Sequence, residues 1–363
     1  MSMRSLGSVE WTVVVLVVGL QWGCARVDAP RATTEDAAES RAHLDAIEDQ
    51  DPGRELSHEA AKAVDIGALR LRFEIGQTAT YAYSWENTRF VEWRGVSDED
   101  RAALRSGTSG RVIRMVLTEN VRAIDDLGRA TVDITIDALS YRVMPGQVHV
   151  DLHVDYDSAR EGQEVSALAD LLGKTYTILK TSAGGVHGVI DSGRARAGLD
   201  PNKPDFDLAR QLLSDPAITE RHTVKAMASN KDPLPVLGQV WIETQHYGFG
   251  QMGSRTFDKV YTYRGIRKES GSSMALVEMS AIPSTRSAQR DHEGAHPGPF
   301  ADVFADEYEF TGRMTLNIET GVLDHYSESL EMRWAGVDPQ ADPGDASPAS
   351  VHLIARQRFA YER

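Results

Sequence analysis

The chain has 363 residues, 41% of them hydrophobic and 26% charged, which is long enough to bury a sizeable core and too apolar for disorder throughout. A formal net charge of −15 repels phosphates, so it argues against a nucleic-acid partner and against a polybasic grip on anionic lipid. The single cysteine leaves no internal disulfide, and stability must come from burial.

Residues 11–22 form an apolar run, followed by Gly23 and Cys24. The run is about half the length of a bilayer-spanning helix and fits the h-region of a signal peptide, with Arg4 in the positive n-region. A short apolar stretch ending in a small residue and Cys is the layout of a bacterial lipoprotein signal. Residues 1–23 therefore read as signal peptide and Cys24 as the lipidation site. Glu10 opens the run, and Gln21 stands where an aliphatic residue is usual, with Leu20 one place back. Ordinary secretion and an uncleaved anchor are the competing readings. Ala25 after the cysteine, in place of Asp, points to the periplasmic face of the outer membrane.

Residues 24–64 read as the lipidated cysteine and a flexible acidic tether, since they lack aromatics and long β-branched runs. Residues 65–363 read as a single β-rich domain. Strands are expected at 112–124 and 130–138, joined by the turn Asp125-Asp126-Leu127-Gly128. In the second, Val132, Ile134, Ile136 and Ala138 alternate with polar residues at period two. A strand follows at 148–156. Residues 174–180 and 186–191 flank Gly184-Gly185. Residues 239–247, 255–264 and 273–282 form a meander, 313–318 and 322–334 flank Gly321, and 351–361 follows. Helices are expected at 97–105, 164–172, 206–213 and 217–228, the last opened by Asp215-Pro216. Loops are expected at 284–299 and 338–350. Strands joined by short turns indicate an α+β chain, predominantly antiparallel β. The expected architecture is a curved sheet or half-barrel meander with a few short helices.

His149, Asp151, His153 and Asp155 share one face of an expected strand, where adjacent pairs could clamp a cation. The wet face of a half-buried strand is the simpler reading. Trp241, Tyr247, Phe249, Phe257, Tyr261 and Tyr263 cluster in one meander. They suit either sheet core or the lining of an apolar ligand cavity; Trp241, Tyr247, Phe257, Tyr261 and Tyr263 are taken as the ligand-binding candidates. His292-Glu293-Gly294-Ala295-His296 matches the H-E-x-x-H pattern of zinc proteases, which needs both His a helical turn apart. Gly294 weakens such a helix and Pro297 pushes His296 out of the α region. These three remain weak metal candidates, and no metal or other cofactor is assigned. No Gly-x-Ser-x-Gly elbow, phosphate loop or dinucleotide glycine pattern occurs.

Several pieces together resemble an uncharacterised bacterial family of exported proteins and lipoproteins, carried under a domain-of-unknown-function label. They are Leu69-Arg70-Leu71-Arg72-Phe73 with Gly76, and Gly128-Arg129-Ala130-Thr131-Val132. Further pieces are residues 168–172 with Gly173, Gly188 with Asp191, residues 234–241, and Tyr261-Thr262-Tyr263. The resemblance implies a β-rich domain and no known activity. A looser likeness is to periplasmic lipoprotein carriers, whose curved antiparallel sheet wraps an apolar cavity under helices; it is an analogy of architecture. Two functions follow as expectations. The first is a membrane-tethered, non-enzymatic envelope lipoprotein that binds a lipid, an apolar ligand or an envelope protein. The second is a zinc-dependent envelope hydrolase using His292, Glu293 and His296.

Overall fold

The structure, a computed structural model, describes residues 69–96, 107–145, 154–228, 235–269, 271–284, 304–337 and 350–363. All fall in one compact unit, Gly67–Arg363. Cys24, the expected signal and tether, and His292, Glu293 and His296 lie outside the described residues. So do the expected helix at 97–105, His149, Asp151 and His153, and most of both expected loops.

Period-two alternation of apolar and polar residues builds twelve strands. They are β1 (Thr78–Arg94), β2 (Gly107–Ile124), β3 (Ala130–Pro145), β4 (Val154–Asp157), β5 (Thr175–Lys180), β6 (Val186–Ile190), β7 (Val240–Gly248), β8 (Ser254–Glu269), β9 (Ser272–Pro283), β10 (Ala305–Asn317), β11 (Val322–Val337) and β12 (Ser350–Glu362). They form one open, curved antiparallel sheet in the order β6-β5-β3-β2-β1-β12-β11-β10-β9-β8-β7, with β4 against β3. The first and last strands pair at its centre, Tyr83 opposite Tyr361 and Trp85 opposite Phe359. Two limbs therefore run outward from a central seam to the free edges β6 and β7.

Four short helices connect those edges: α1 (Ser192–Ala197), α2 (Phe206–Leu212), α3 (Asp215–His222) and α4 (Lys225–Ala228). Ser214 caps α3 by accepting from the Ala217 N–H, with Pro216 in its first turn. Ile218, Arg221 and His222 are all buried, and their i, i+3, i+4 spacing makes them one helical face. That face lies on the concave side of the sheet. Trp241 on β7 donates from Nε1 to the Ala226 carbonyl of α4 at 2.8 Å.

Residues 69–73 strap one end of the sheet. The Leu71 N–H donates to Ser182 O at 2.7 Å on the first limb, and the Arg72 N–H to Gly321 O at 3.0 Å on the second. Leu69 and Leu71 are buried beneath the strap. Gly321 has φ +68°, and a Cβ there would collide with the backbone and side chain of Arg72, so the crossing requires glycine.

Several elements differ from expectation. Strand β1 has no counterpart in the sequence reading, because Trp85–Asn87 and Arg89–Val91 mix polar and apolar residues on both phases. Residues 164–172 hold only a single 3-10 turn, Ala169–Leu171. A bulge between Val116 and Leu117 shifts the β2–β3 register. Ala138 consequently leaves the buried phase, and Leu139 and Tyr141 enter the core. Expected helix 217–228 breaks at Thr223, where the Val224 N–H donates to Gly184 O at 2.9 Å instead of continuing the helix. Strand β10 begins eight residues before the expected position 313.

Candidate functional site

The concave face is apolar by strand phase, yet it carries two carboxylates. Glu119 lies on β2 between the inward residues Leu117 and Val121, and Glu328 on β11 between Tyr326 and Leu330. A carboxylate on a buried phase needs cationic and hydrogen-bonding partners. Each has a lysine and a tyrosine brought from other strands.

On the first limb, Lys180 Nζ donates to Glu119 Oε1 at 3.2 Å and Oε2 at 3.3 Å. Tyr361 OH donates to Oε1 at 2.5 Å. His222 of α3 stands with Nδ1 3.4 Å from the same oxygen and Nε2 2.8 Å from Tyr176 OH. An ionised carboxylate only accepts, so Nδ1 carries the proton and Nε2 accepts from Tyr176. Arg221 donates from one guanidinium nitrogen to Tyr176 OH at 3.0 Å and from the other to Leu212 O at 2.9 Å. Its guanidinium lies 5.5 Å from the Tyr83 ring centroid, while its Nε has no hydrogen-bond partner among the described residues. Burial raises the Glu119 pKa, but Lys180 and the hydrogen bonds from His222 and Tyr361 outweigh it and hold the carboxyl well below its usual range. Burial pushes His222 down to about 4 against the pull of Glu119, so the imidazole is neutral at pH 7.

On the second limb, Lys259 Nζ donates to Glu328 Oε1 at 3.0 Å and Oε2 at 3.3 Å and stands 3.2 Å from Glu243 Oε2 on β7. Tyr326 and Tyr261 donate to Glu328 Oε1 at 2.6 and 2.9 Å. Strands β9 and β10 lie between Lys259 and Glu328 in the sheet. Small inward residues on them leave the crossing open: Ala281 opposite Lys259 and Gly312 opposite Glu328. A Cβ on Gly312 would stand 2.8 Å from Ser327 O and 3.4 Å from Glu328 Cγ. Burial raises the Glu328 pKa, and Lys259, Lys225 and Tyr326 more than offset it, so the carboxyl stays low.

Beside Glu328 a cleft of about 70 Å³ opens between the sheet and the helices. Its sheet walls are Trp85, Phe359, Arg358, Gln357, Glu328, Tyr326, Leu330, Phe310, Gln245 and Tyr247, and its helical wall is Glu220, Thr223 and Lys225. Tyr247 meets Phe310 edge-on, with centroids 5.5 Å apart. Lys225 Nζ donates to Gln245 Oε1 at 3.1 Å. The volume holds a few waters or one small head group, well under the several hundred Å³ of a drug-sized site. Burial and the nearby Glu328, Glu243 and Glu220 raise the Tyr247 pKa well above its usual value.

The structure distributes the aromatic candidates unevenly. Tyr247 lines the cleft. Trp241 stacks on Tyr261 at 6.0 Å, and Phe257 packs against Phe310 and Tyr308. Trp241, Phe257, Tyr261 and Tyr263 are buried in the core, and Phe249 meets Trp334 edge-on. Asp155 is held by Arg160 at 2.6 Å and stands 3.6 Å from Arg142. The described residues contain no cluster of three or more His, Cys, Asp or Glu suited to a metal. The sequence reading missed Glu119, Lys180, His222, Lys259 and Glu328. Its available signal was a charged residue on the apolar phase of a strand, as with Lys259 between Phe257 and Tyr261.

No family model and no curated protein matches the chain. Among solved structures it is similar to one described as lipid–protein interactions in lipovitellin, with TM-score 0.36 and 10% identity over 79% of this chain and 25% of that one. The chain thus spans a quarter of that protein's length, and a likeness at this level carries no functional argument.

Proposed function

We propose that the protein is a lipid-anchored envelope protein that holds an amphiphilic ligand between its concave sheet and the helices, without transforming it. The carrying observation is the cleft beside Glu328, where five aromatic rings and Leu330 meet convergent polar groups, among them Glu328, Glu220, Lys225, Arg358, Gln245 and Gln357. Its size suits the head of such a ligand. An acyl chain would need α3 and α4 to move off the sheet, against the hydrogen bonds of His222, Lys225 and the Ala226 carbonyl. The lipid anchor is read from residues 1–25 and supports placement at a membrane.

Native mass spectrometry of the chain purified from its own membrane tests both parts. The expected result is a diacylglyceryl-type mass increment on Cys24 together with a dissociable lipid-sized adduct. A ligand-free mass, with no uptake of a fluorescent fatty-acid probe, would overturn the carrier reading. Tight stoichiometric zinc in the same preparation would replace it with the hydrolase reading through His292, Glu293 and His296.

A further inference from the structure

The two ends of the sheet differ. One end holds the strap at residues 69–73, the entry to β7, the turns 125–129, 181–185 and 318–321, and the facing ends of β8 and β9. The other end holds the ends of β1, β3, β9 and β11 and the starts of β2, β10 and β12.

Among the described residues, four of the five most exposed large apolar side chains stand at the strapped end, two on each limb. Ile75 is 71% exposed and Leu127 76%, beside the β2–β3 turn; Val236 is 69% and Leu237 70%, at the entry to β7; the fifth, Val165 at 69%, lies in the β4–β5 connection. Ile124 and Ile266 stand behind them, partly exposed. Isolated exposed apolar residues need no explanation, but several sharing one rim do. Asp126 aside, the turn charges there pair off: Arg129 with Asp125 at 2.7 Å, Arg267 with Glu269 at 2.8 Å and Lys268 with Glu319 at 3.5 Å. The rim turns thus do not carry the chain's acidic excess, which would be repelled by an anionic membrane surface. Leu69, the first described residue, lies in the strap. If the residues between Cys24 and Leu69 act as the tether read from the sequence, a flexible chain of that length would reach roughly 35–40 Å, which permits contact with a bilayer without enforcing it.

The geometry points to a membrane-facing rim: Ile75, Leu127, Val236 and Leu237 dip into the lipid surface and set the domain upright on it, strapped end down. This rests on the reading of Cys24 as the anchor, but not on the ligand cleft. With Cys24 acylated, an introduced cysteine is the only free thiol. The acylated full chain would carry Leu127→Cys, Leu237→Cys or, at the opposite end, Val337→Cys, each labelled with an environment-sensitive fluorophore. It would be reconstituted on vesicles of phosphatidylethanolamine and phosphatidylglycerol.

Labels at 127 and 237 are expected to shift to shorter wavelength and to be quenched by a lipid-borne quencher, while the label at 337 is not. Absence of quenching at 127 and 237, or equal quenching at 337, would overturn the inference. Failure of the anchor reading shows separately, as an unmodified Cys24 mass. A Cys24→Ser chain then tests the rim alone: its residual vesicle binding should fall by about tenfold or more with Leu127→Asp and Leu237→Asp together, roughly the loss of one side chain's burial. Unchanged binding, or none to begin with, would also overturn it.

Discussion

The two limbs of the sheet carry the same chemistry in different surroundings. Around Glu119 the Lys180 side chain is 3% exposed, the carboxylate 10% and His222 not at all; helix α3 covers the cluster, and a pocket of only about 30 Å³ reaches Glu119 and Lys180 beside the strap. Around Glu328, Lys259 and the carboxylate are as deeply buried, at 0% and 11%, but the neighbouring Glu243 is 27% exposed. There the helices leave a cleft. An ion pair bonded to a helical histidine pins that helix to the sheet. An ion pair bordering the larger cleft keeps a polarised carboxylate near whatever enters. The comparison separates a helix-pinning cluster on the first limb from the wider cleft on the second.

The largest expected effect separates them directly. Lys180→Met leaves Glu119 buried without its cation and should cost about 3–5 kcal/mol. Lys259→Met should cost about 1–3 kcal/mol, because Lys225 remains as a second nearby cation and Tyr326 and Tyr261 still donate to Glu328. Urea midpoints at unchanged slope measure both, and equal losses would break the comparison.

Acid should act through the first limb. The folded His222 pKa of about 4 lies below its ordinary 6.5. Between those values the unfolded chain takes up a proton that the folded one refuses. Stability is therefore full above pH 6.5, falls as pH drops, and has lost roughly 3 kcal/mol near pH 4. Glu119, held below its ordinary 4.5, adds a further loss only below pH 4.5. Denaturation curves at stepped pH should show this slope in the native chain and lose its pH 6.5–4 part in His222→Gln. A slope that survives that substitution would place the titration elsewhere.

Gly321→Ala strains the strap that joins the limbs and should lower stability by about 1–3 kcal/mol. Thermal melting reads it, and an unchanged midpoint would mean that the limbs do not depend on the strap. The smallest effect concerns binding. Tyr247→Ala should weaken uptake of a fluorescent fatty-acid probe by about fivefold, near the worth of one aromatic contact. Tyr83→Phe, under the sealed helix, should leave uptake unchanged; equal losses would move the ligand off the second limb.

Much of the sheet was legible in the sequence. Val132, Ile134 and Ile136 declared their phase, as did the turns at Asp125 and Gly321, because period two and turn chemistry are local properties. Strand β1 was not legible. Its central residues pair with both β2 and β12, and inward Asn87 and Arg89 break the apolar phase that would have marked it. The bulge that moved Ala138 out of the core was equally hidden, since it depends on β2. Of the aromatic candidates, Tyr247 reached the cleft while Trp241, Phe257, Tyr261 and Tyr263 went to the core. Their spacing could not separate these outcomes, as both put a ring on the inward phase. Trp85, Phe310 and Phe359, which complete the cleft, come from strands far apart in the chain.

The sequence by itself determined an antiparallel β-rich chain, the approximate places of most strands, and a helix opened at Asp215-Pro216, though not its break at Thr223. These follow from alternation, capping and turn preference over a few neighbouring residues. Only the tertiary structure decided that β1 and β12 meet at the centre, that Glu119 finds Lys180, His222 and Tyr361, and that Glu328 finds Lys259 across two intervening strands. Those pairings depend on sheet curvature and on which helix face lies over it. Both are set by contacts between residues tens to hundreds of positions apart, and no local pattern encodes them.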